Sequence, residues 1–129
     1  MPRIEYVVPI LRVADVAASI AYYRERLGFE SDWRWGDPPG FGGVRRDAIE
    51  VFFCRECQGA PGTWMSIWVD DVDAMYEELR ERGADIRQPP TNFEWGVREM
   101  NVQDPDGHRI RFSASTDEPA DGVPFPDDR

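Results

Sequence analysis

Hydrophobic and polar positions change period several times along the chain, and they do so twice in the same order. Residues 6–13, Tyr-Val-Val-Pro-Ile-Leu-Arg-Val, are rich in β-branched types and predict a strand. Val16, Ile20, Tyr23 and Leu27 then fall at i, i+4, i+7 and i+11, one face of a helix. Asp15 is placed to cap its start and Gly28 to end it. Short strands are predicted over 30–35, 42–46 and 48–53, with Asp37-Pro38-Pro39-Gly40 as a loop. The second round begins with a strand over 65–69 and a cap at Asp71. Its helical stripe is Val72, Met75, Tyr76 and Leu79, and its stop is Gly83. Strands over 85–87, 97–103 and 108–113 follow. Asp104-Pro105-Asp106-Gly107 forms a turn, because proline presets φ and glycine accepts positive φ.

The two rounds are also related residue by residue. Val13-Ala14-Asp15-Val16 returns as Val69-Asp70-Asp71-Val72, and Arg24-Glu25-Arg26 as Arg80-Glu81-Arg82, both at an offset of 56. A single repeat of this length points to two fused modules rather than a solenoid, which needs three or more units. The expected fold class is α+β. Two tandem βαβββ modules, about 4–57 and 62–115, would form a cleft-shaped, curved mixed sheet within one domain, residues 1–115. Residues 116–129 are rich in Pro, Asp and Gly and are expected to be a disordered acidic tail.

Composition narrows the partners. The formal charge is −10, of which −4 sits in the last fourteen residues. An acidic surface repels phosphate backbones, so nucleic acid is not an expected partner, and cationic small molecules are favoured. Solubility alone would also account for the charge. No apolar run nears the roughly 20 residues of a membrane-spanning helix. The N-terminus lacks the succession of a leader peptide. A cytoplasmic protein without membrane contact is therefore expected. Cys54 and Cys57 supply two thiols where a structural zinc site needs four ligands, and they are expected to be a reduced pair at a strand end. His108, the one histidine, is expected on an exposed hairpin.

Val8-Pro9-Ile10-Leu11-Arg12-Val13, Asp15-Val16, Tyr22-Tyr23-Arg24, Leu27-Gly28-Phe29 and Asp104-Pro105-Asp106-Gly107-His108-Arg109-Ile110 together resemble the vicinal-oxygen-chelate superfamily. This is the superfamily of glyoxalases, bleomycin resistance proteins and extradiol dioxygenases. Within it, Val8-Pro9, the aromatic-rich strand 64–69 and Trp95-Gly96-Val97-Arg98-Glu99 are most similar to bleomycin resistance proteins. The resemblance implies the glyoxalase/bleomycin resistance fold, a homodimer, and a cleft that sequesters a drug without chemistry.

Metal-dependent members take ligands at positions that correspond to Val8, Glu50, Trp64 and Arg111. Only Glu50 could ligate a divalent metal, so no metal, cofactor or catalytic residue is expected. The expected site is aromatic instead. Trp33, Trp35, Phe41, Trp64, Phe93 and Trp95 would meet a flat ligand, with Glu50, Arg111 and the field of Asp32 beside them. Aromatic faces stack on planar rings and attract cations. Trp68, in a continuous apolar strand, is expected in the core. The function read from the sequence is metal-free binding of a cationic aromatic compound. A superfamily enzyme, of lyase or dioxygenase type, with a non-standard site and a metabolite-binding module are the alternatives.

Overall fold

The computed structural model describes residues 1–122. Residues 123–129, half of the expected tail, lie outside the described residues. The chain divides into two compact units, Met1–Thr63 with Asp104–His108, and Trp64–Gln103 with the chain from Arg109 onward.

The first unit contains β1 (Ile10–Val13), α1 (Val16–Leu27), β2 (Glu30–Gly36), β3 (Pro39–Arg46) and β4 (Ile49–Arg55). Its sheet has the order β1-β4-β3-β2, with β1 parallel to β4 and the other pairs antiparallel. The second unit contains β5 (Trp64–Trp68), α2 (Val72–Glu81), β6 (Asp85–Phe93), β7 (Val97–Gln103) and β8 (Arg109–Ser115). Its sheet, β5-β8-β7-β6, repeats the pattern. Each unit is thus a βαβββ module with one helix, as the internal repeat predicts.

Both helices start on the expected caps. The Asp15 carboxylate accepts the N–H of Ala18, and Asp71 accepts that of Ala74, each at 3.0 Å. Gly28, at φ 74°, ends α1 in the left-handed region. Val16, Ile20, Tyr23 and Leu27 are all buried, against Leu11, Val13, Val44, Val51 and Phe53 of the sheet. Full burial of such side chains contributes about 1.5–3 kcal/mol each. The helix sits directly on β3: a Cβ on Gly42 would come within 2.9 Å of Val16 and 3.0 Å of Ile20. In the second unit Val72 and Leu79 of α2 are buried with Met100, Val102, Ile110 and Phe112.

Several expectations are corrected. Strand β1 begins at Ile10, not residue 6, and Ile4, Tyr6 and Val7 are exposed. Strand β6 runs past the expected end at Arg87 to Phe93, through Pro89 and Pro90. It is an edge strand, where missing N–H groups are tolerated, and its register shifts there. Cys54 and Cys57 form a disulfide rather than a reduced pair; the turn after β4, with Glu56 at φ 51°, brings them to a Cα separation of 5.6 Å. Residues 116–122 carry no helix or strand, yet Asp121 exchanges two hydrogen bonds with the backbone of Asn92.

His108 is buried, not exposed. Its Nδ1 accepts the N–H of Thr63 at 3.0 Å, so the ring proton lies on Nε2, 2.6 Å from the carbonyl of Arg12. The turn that carries it is held by Asp104. This buried carboxylate accepts the Tyr23 hydroxyl at 2.8 Å and the N–H groups of Asp106 and His108 at 2.9 Å. Burial pushes the Asp104 carboxyl upward, against those hydrogen bonds and the nearby His108. Burial, then Asp104, raise the Tyr23 phenol well above its ordinary value.

That direction sets the sign of an alkaline effect. The unfolded chain releases the phenol proton near pH 10, while the folded protein keeps it. The folded state then binds more protons, so stability falls as pH rises past about 10. Chemical denaturation at pH 8 and pH 10.5 should show this loss. Tyr23→Phe should cost about 1–3 kcal/mol at pH 8, because Asp104 loses a buried donor. It should also flatten the part of the alkaline decline that Tyr23 causes.

Candidate functional site

One helix covers one face of each sheet, and the strand alternation puts a distinct set of side chains on the other face. In the first unit that face is aromatic. The register pairs Trp33 with Gly43, Trp35 with Phe41, Gly43 with Phe52 and Arg45 with Glu50. Trp33, Phe41 and Phe52 form a cluster with ring centroids 5.1–5.7 Å apart. Gly43 makes it possible. A Cβ there would meet Trp33 Nε1 at 2.7 Å and Phe52 at 2.9 Å, so the indole lies where a side chain would be. Trp35 is 78% exposed. Glu50 shares this face and accepts Arg45 Nη2 at 3.0 Å. Asp32 does not: it is held by Arg24 of α1 at 3.0 Å and by Arg34 at 3.2 Å, so its charge is met by two guanidiniums.

The corresponding face of the second unit is polar at its centre and aromatic at its margins. Cross-strand pairs are Trp64 with Arg109, Ser66 with Arg111, Trp68 with Ser113, Glu99 with Ser113 and Asn101 with Arg111. Arg109 lies 5.3 Å from the Trp64 ring centroid and donates to Gln103 and Asn101. Asn101 in turn donates to Gln88 at 3.2 Å. Phe93 and Trp95 stack at 4.7 Å with planes 7° apart, and Trp95 Nε1 donates to Glu99 Oε1 at 3.2 Å. Such a stack is worth about 0.5–1.5 kcal/mol beyond its buried area. The indole is held on one face and at its N–H, and Trp95 remains 46% exposed. Arg111 Nη1 lies 3.9 Å from the same Glu99 oxygen, and Nη2 lies 3.4 Å from Ser66 Oγ.

Trp68 corrects an expectation. It is 62% exposed, because β5 is an edge strand and Ile67 takes its core-facing position.

A family model described as Glyoxalase/Bleomycin resistance protein/Dioxygenase superfamily matches residues 3–112. The chain belongs to this superfamily. Among solved structures it is similar to a bleomycin-binding protein from the bleomycin-producing Streptomyces verticillus, complexed with copper(II)-bleomycin. That protein is 28% identical, with a TM-score of 0.73, and the match covers 92% of this chain and 100% of that one. A superfamily member from Sphaerobacter thermophilus is also 28% identical, with a TM-score of 0.69 and coverages of 85% and 97%. TioX from Micromonospora sp. ML1, at 24% identity, shares the fold, with a TM-score of 0.75 and coverages of 86% and 98%. No curated protein matches significantly.

The donor set does not fit the divalent metal used by other members of the superfamily. Of the two corresponding positions in the first unit, Val8 offers no ligand and Glu50 is paired with Arg45. In the second unit Trp64 and Arg111 offer none. Among the described residues, no group of three His, Cys, Asp or Glu side chains could hold a metal ion.

Sequence reasoning missed Phe52, Glu99, Asn101, Arg109 and Ser113. A signal was present: polar residues alternate with Met100 and Val102 along β7, and with Ile110 and Phe112 along β8.

The seat of Trp33 is directly testable. Gly43→Ala should displace the indole, cost about 1–3 kcal/mol through overpacking, and shift the tryptophan emission maximum. Unchanged emission and stability would show that Trp33 does not rest on Gly43.

Proposed function

We propose that the protein is a metal-free small-molecule-binding protein of the bleomycin resistance type, which sequesters a flat, cationic aromatic compound. The observation that carries this reading is Trp95. Its ring is fixed by the Phe93 stack and the Glu99 hydrogen bond, yet it stays half exposed. An indole immobilised before binding loses little conformational entropy when a planar ring stacks on it. The cluster of Trp33, Phe41 and Phe52 offers a second aromatic surface. Likeness to the bleomycin-binding protein adds support. Preference for a cation rests on the net charge of −10, not on Asp32.

The proposal includes one domain over residues 1–115 and a homodimer; exposed Ile4, Tyr6 and Val7 are apolar surface that a second copy could cover. It also includes a cytoplasmic location. No helix is long and apolar enough to cross a membrane.

Bleomycin titrated into the protein should perturb tryptophan fluorescence. Surface charge is screened over about 8 Å at physiological ionic strength, so binding should weaken with salt without vanishing. Trp95→Ala should weaken it by about 1–3 kcal/mol at both salts. If no cationic aromatic compound perturbs the fluorescence at millimolar concentration, sequestration is wrong.

Elemental analysis of protein purified without chelator should give well below one metal per chain. A stoichiometric metal lost on Glu50→Ala would overturn the metal-free reading. Light scattering at micromolar concentration should give the mass of a dimer.

A further inference from the structure

Two polar groups on the uncovered face of the second unit have no partner. Arg111 Nε and Ser113 Oγ are both buried, and neither makes a hydrogen bond among the described residues. They stand two residues apart on β8, hence on the same face of the strand. Both can donate to one acceptor. The remaining contacts of Arg111 are long, 3.4 Å to Ser66 Oγ and 3.9 Å to Glu99 Oε1. The guanidinium therefore has most of its donors unused, while its side chain is 37% exposed. Ser113 is 1% exposed. A buried donor left unmet is costly, so these two groups favour an incoming oxygen.

Charge selects the kind of oxygen. Among the described residues, the β7 and β8 side chains of this face carry two guanidiniums, Arg109 and Arg111, against one carboxylate, Glu99. The face therefore favours an anion locally, although the chain as a whole is acidic. A guanidinium fork matches a carboxylate in geometry as well as charge. The aromatic surface is within reach of the same ligand, because Trp95 Nε1 and Arg111 Nη1 converge on a single oxygen of Glu99, at 3.2 and 3.9 Å.

We propose that Arg111, seconded by Ser113, receives a carboxylate of the ligand whose ring stacks on Trp95. This rests on the binding function proposed above and narrows it: the cationic aromatic ligand also carries a carboxylate, so it is a planar zwitterion rather than a simple cation. Nε and an Nη of one guanidinium together form the edge that a carboxylate meets with two parallel hydrogen bonds.

Three probes of one shape separate the claims: 2-naphthoate, 2-naphthylmethylammonium and 2-naphthalenemethanol. Each is titrated calorimetrically into the full chain, its Arg111→Gln, Ser113→Ala and Trp95→Ala variants, after circular dichroism confirms folding. The naphthoate should bind the parent protein about tenfold more tightly than the alcohol, as a charge-assisted hydrogen bond allows. Arg111→Gln should remove that preference, so that naphthoate binds no more tightly than the alcohol. Ser113→Ala should reduce naphthoate affinity about threefold, and it keeps the test alive if Arg111→Gln does not fold. Trp95→Ala should weaken all three probes.

If naphthoate and alcohol bind equally, and both depend on Trp95, the carboxylate site is wrong while the aromatic site stands. A crystal structure with naphthoate showing only a buried water on Arg111 Nε and Ser113 Oγ would overturn it too. If the ammonium probe alone binds, the ligand is a simple cation and the inference fails. If none of the probes binds, the aromatic reading fails and the inference with it.

Discussion

Each module has four strands and one helix, and a single helix can dry only one face of a sheet. Everything else in the molecule follows from that shortage. Strand side chains alternate faces with period two, so every strand supplies both a core half and an uncovered half. On the helix side the halves are the aliphatic and aromatic residues that α1 and α2 bury. On the other side the protein must either solvate the surface or furnish it for binding. Both modules place aromatic or hydrogen-bonding side chains there.

They do so in different ways. The first module accumulates aromatic rings on the uncovered face and omits a side chain at Gly43 so that Trp33 can lie flat. The second builds a hydrogen-bonded polar layer of Arg109, Gln103, Asn101 and Gln88, with aromatic rings only at its margins. Buried polar layers are stable when every member is satisfied and costly when one is not. The layer is satisfied at Arg109 and Asn101 and unsatisfied at Arg111 Nε and Ser113. Residual polar demand of that kind, beside a pre-held indole, is the observation on which the proposed carboxylate site rests.

The turn between β7 and β8 follows a different logic. Asp104 gathers the Tyr23 hydroxyl and two backbone N–H groups, and His108 bridges Thr63 and Arg12. A carboxylate in apolar surroundings is expensive unless several donors meet it, and here they do. The one histidine of the chain is thereby assigned to packing, with its tautomer set by a backbone donor. It has no free nitrogen with which to act as an acid, a base or a metal ligand.

The sequence by itself determined the elements that rest on local chemistry. Asp15 and Asp71 cap helices because a carboxylate one residue before a helix can reach the orphan N–H groups. The stripe from Val16 to Leu27 is a helix face because 3.6-residue periodicity is a local property. The offset of 56 fixed two modules, and the motifs around Val8 and Trp95 pointed to the superfamily that the comparisons establish. Trp33, Phe41, Phe93 and Trp95 were singled out on the same local grounds, and the fold pairs their rings within each unit. What tertiary structure alone decided was which neighbour each side chain met. Trp68 looked like core and became surface, because β5 lies at a sheet edge. His108 looked like surface and became core, because its turn packs against residues far away in sequence. Asp32 looked like a source of field and was consumed by Arg24 of α1 and by Arg34. Cross-strand register brought Glu99 between Trp95 and Arg111 and left Ser113 Oγ without a hydrogen bond among the described residues. These outcomes depend on pairings between strands, whose partners are chosen by register and sheet order, and no local pattern in the chain encodes which strand will be the edge.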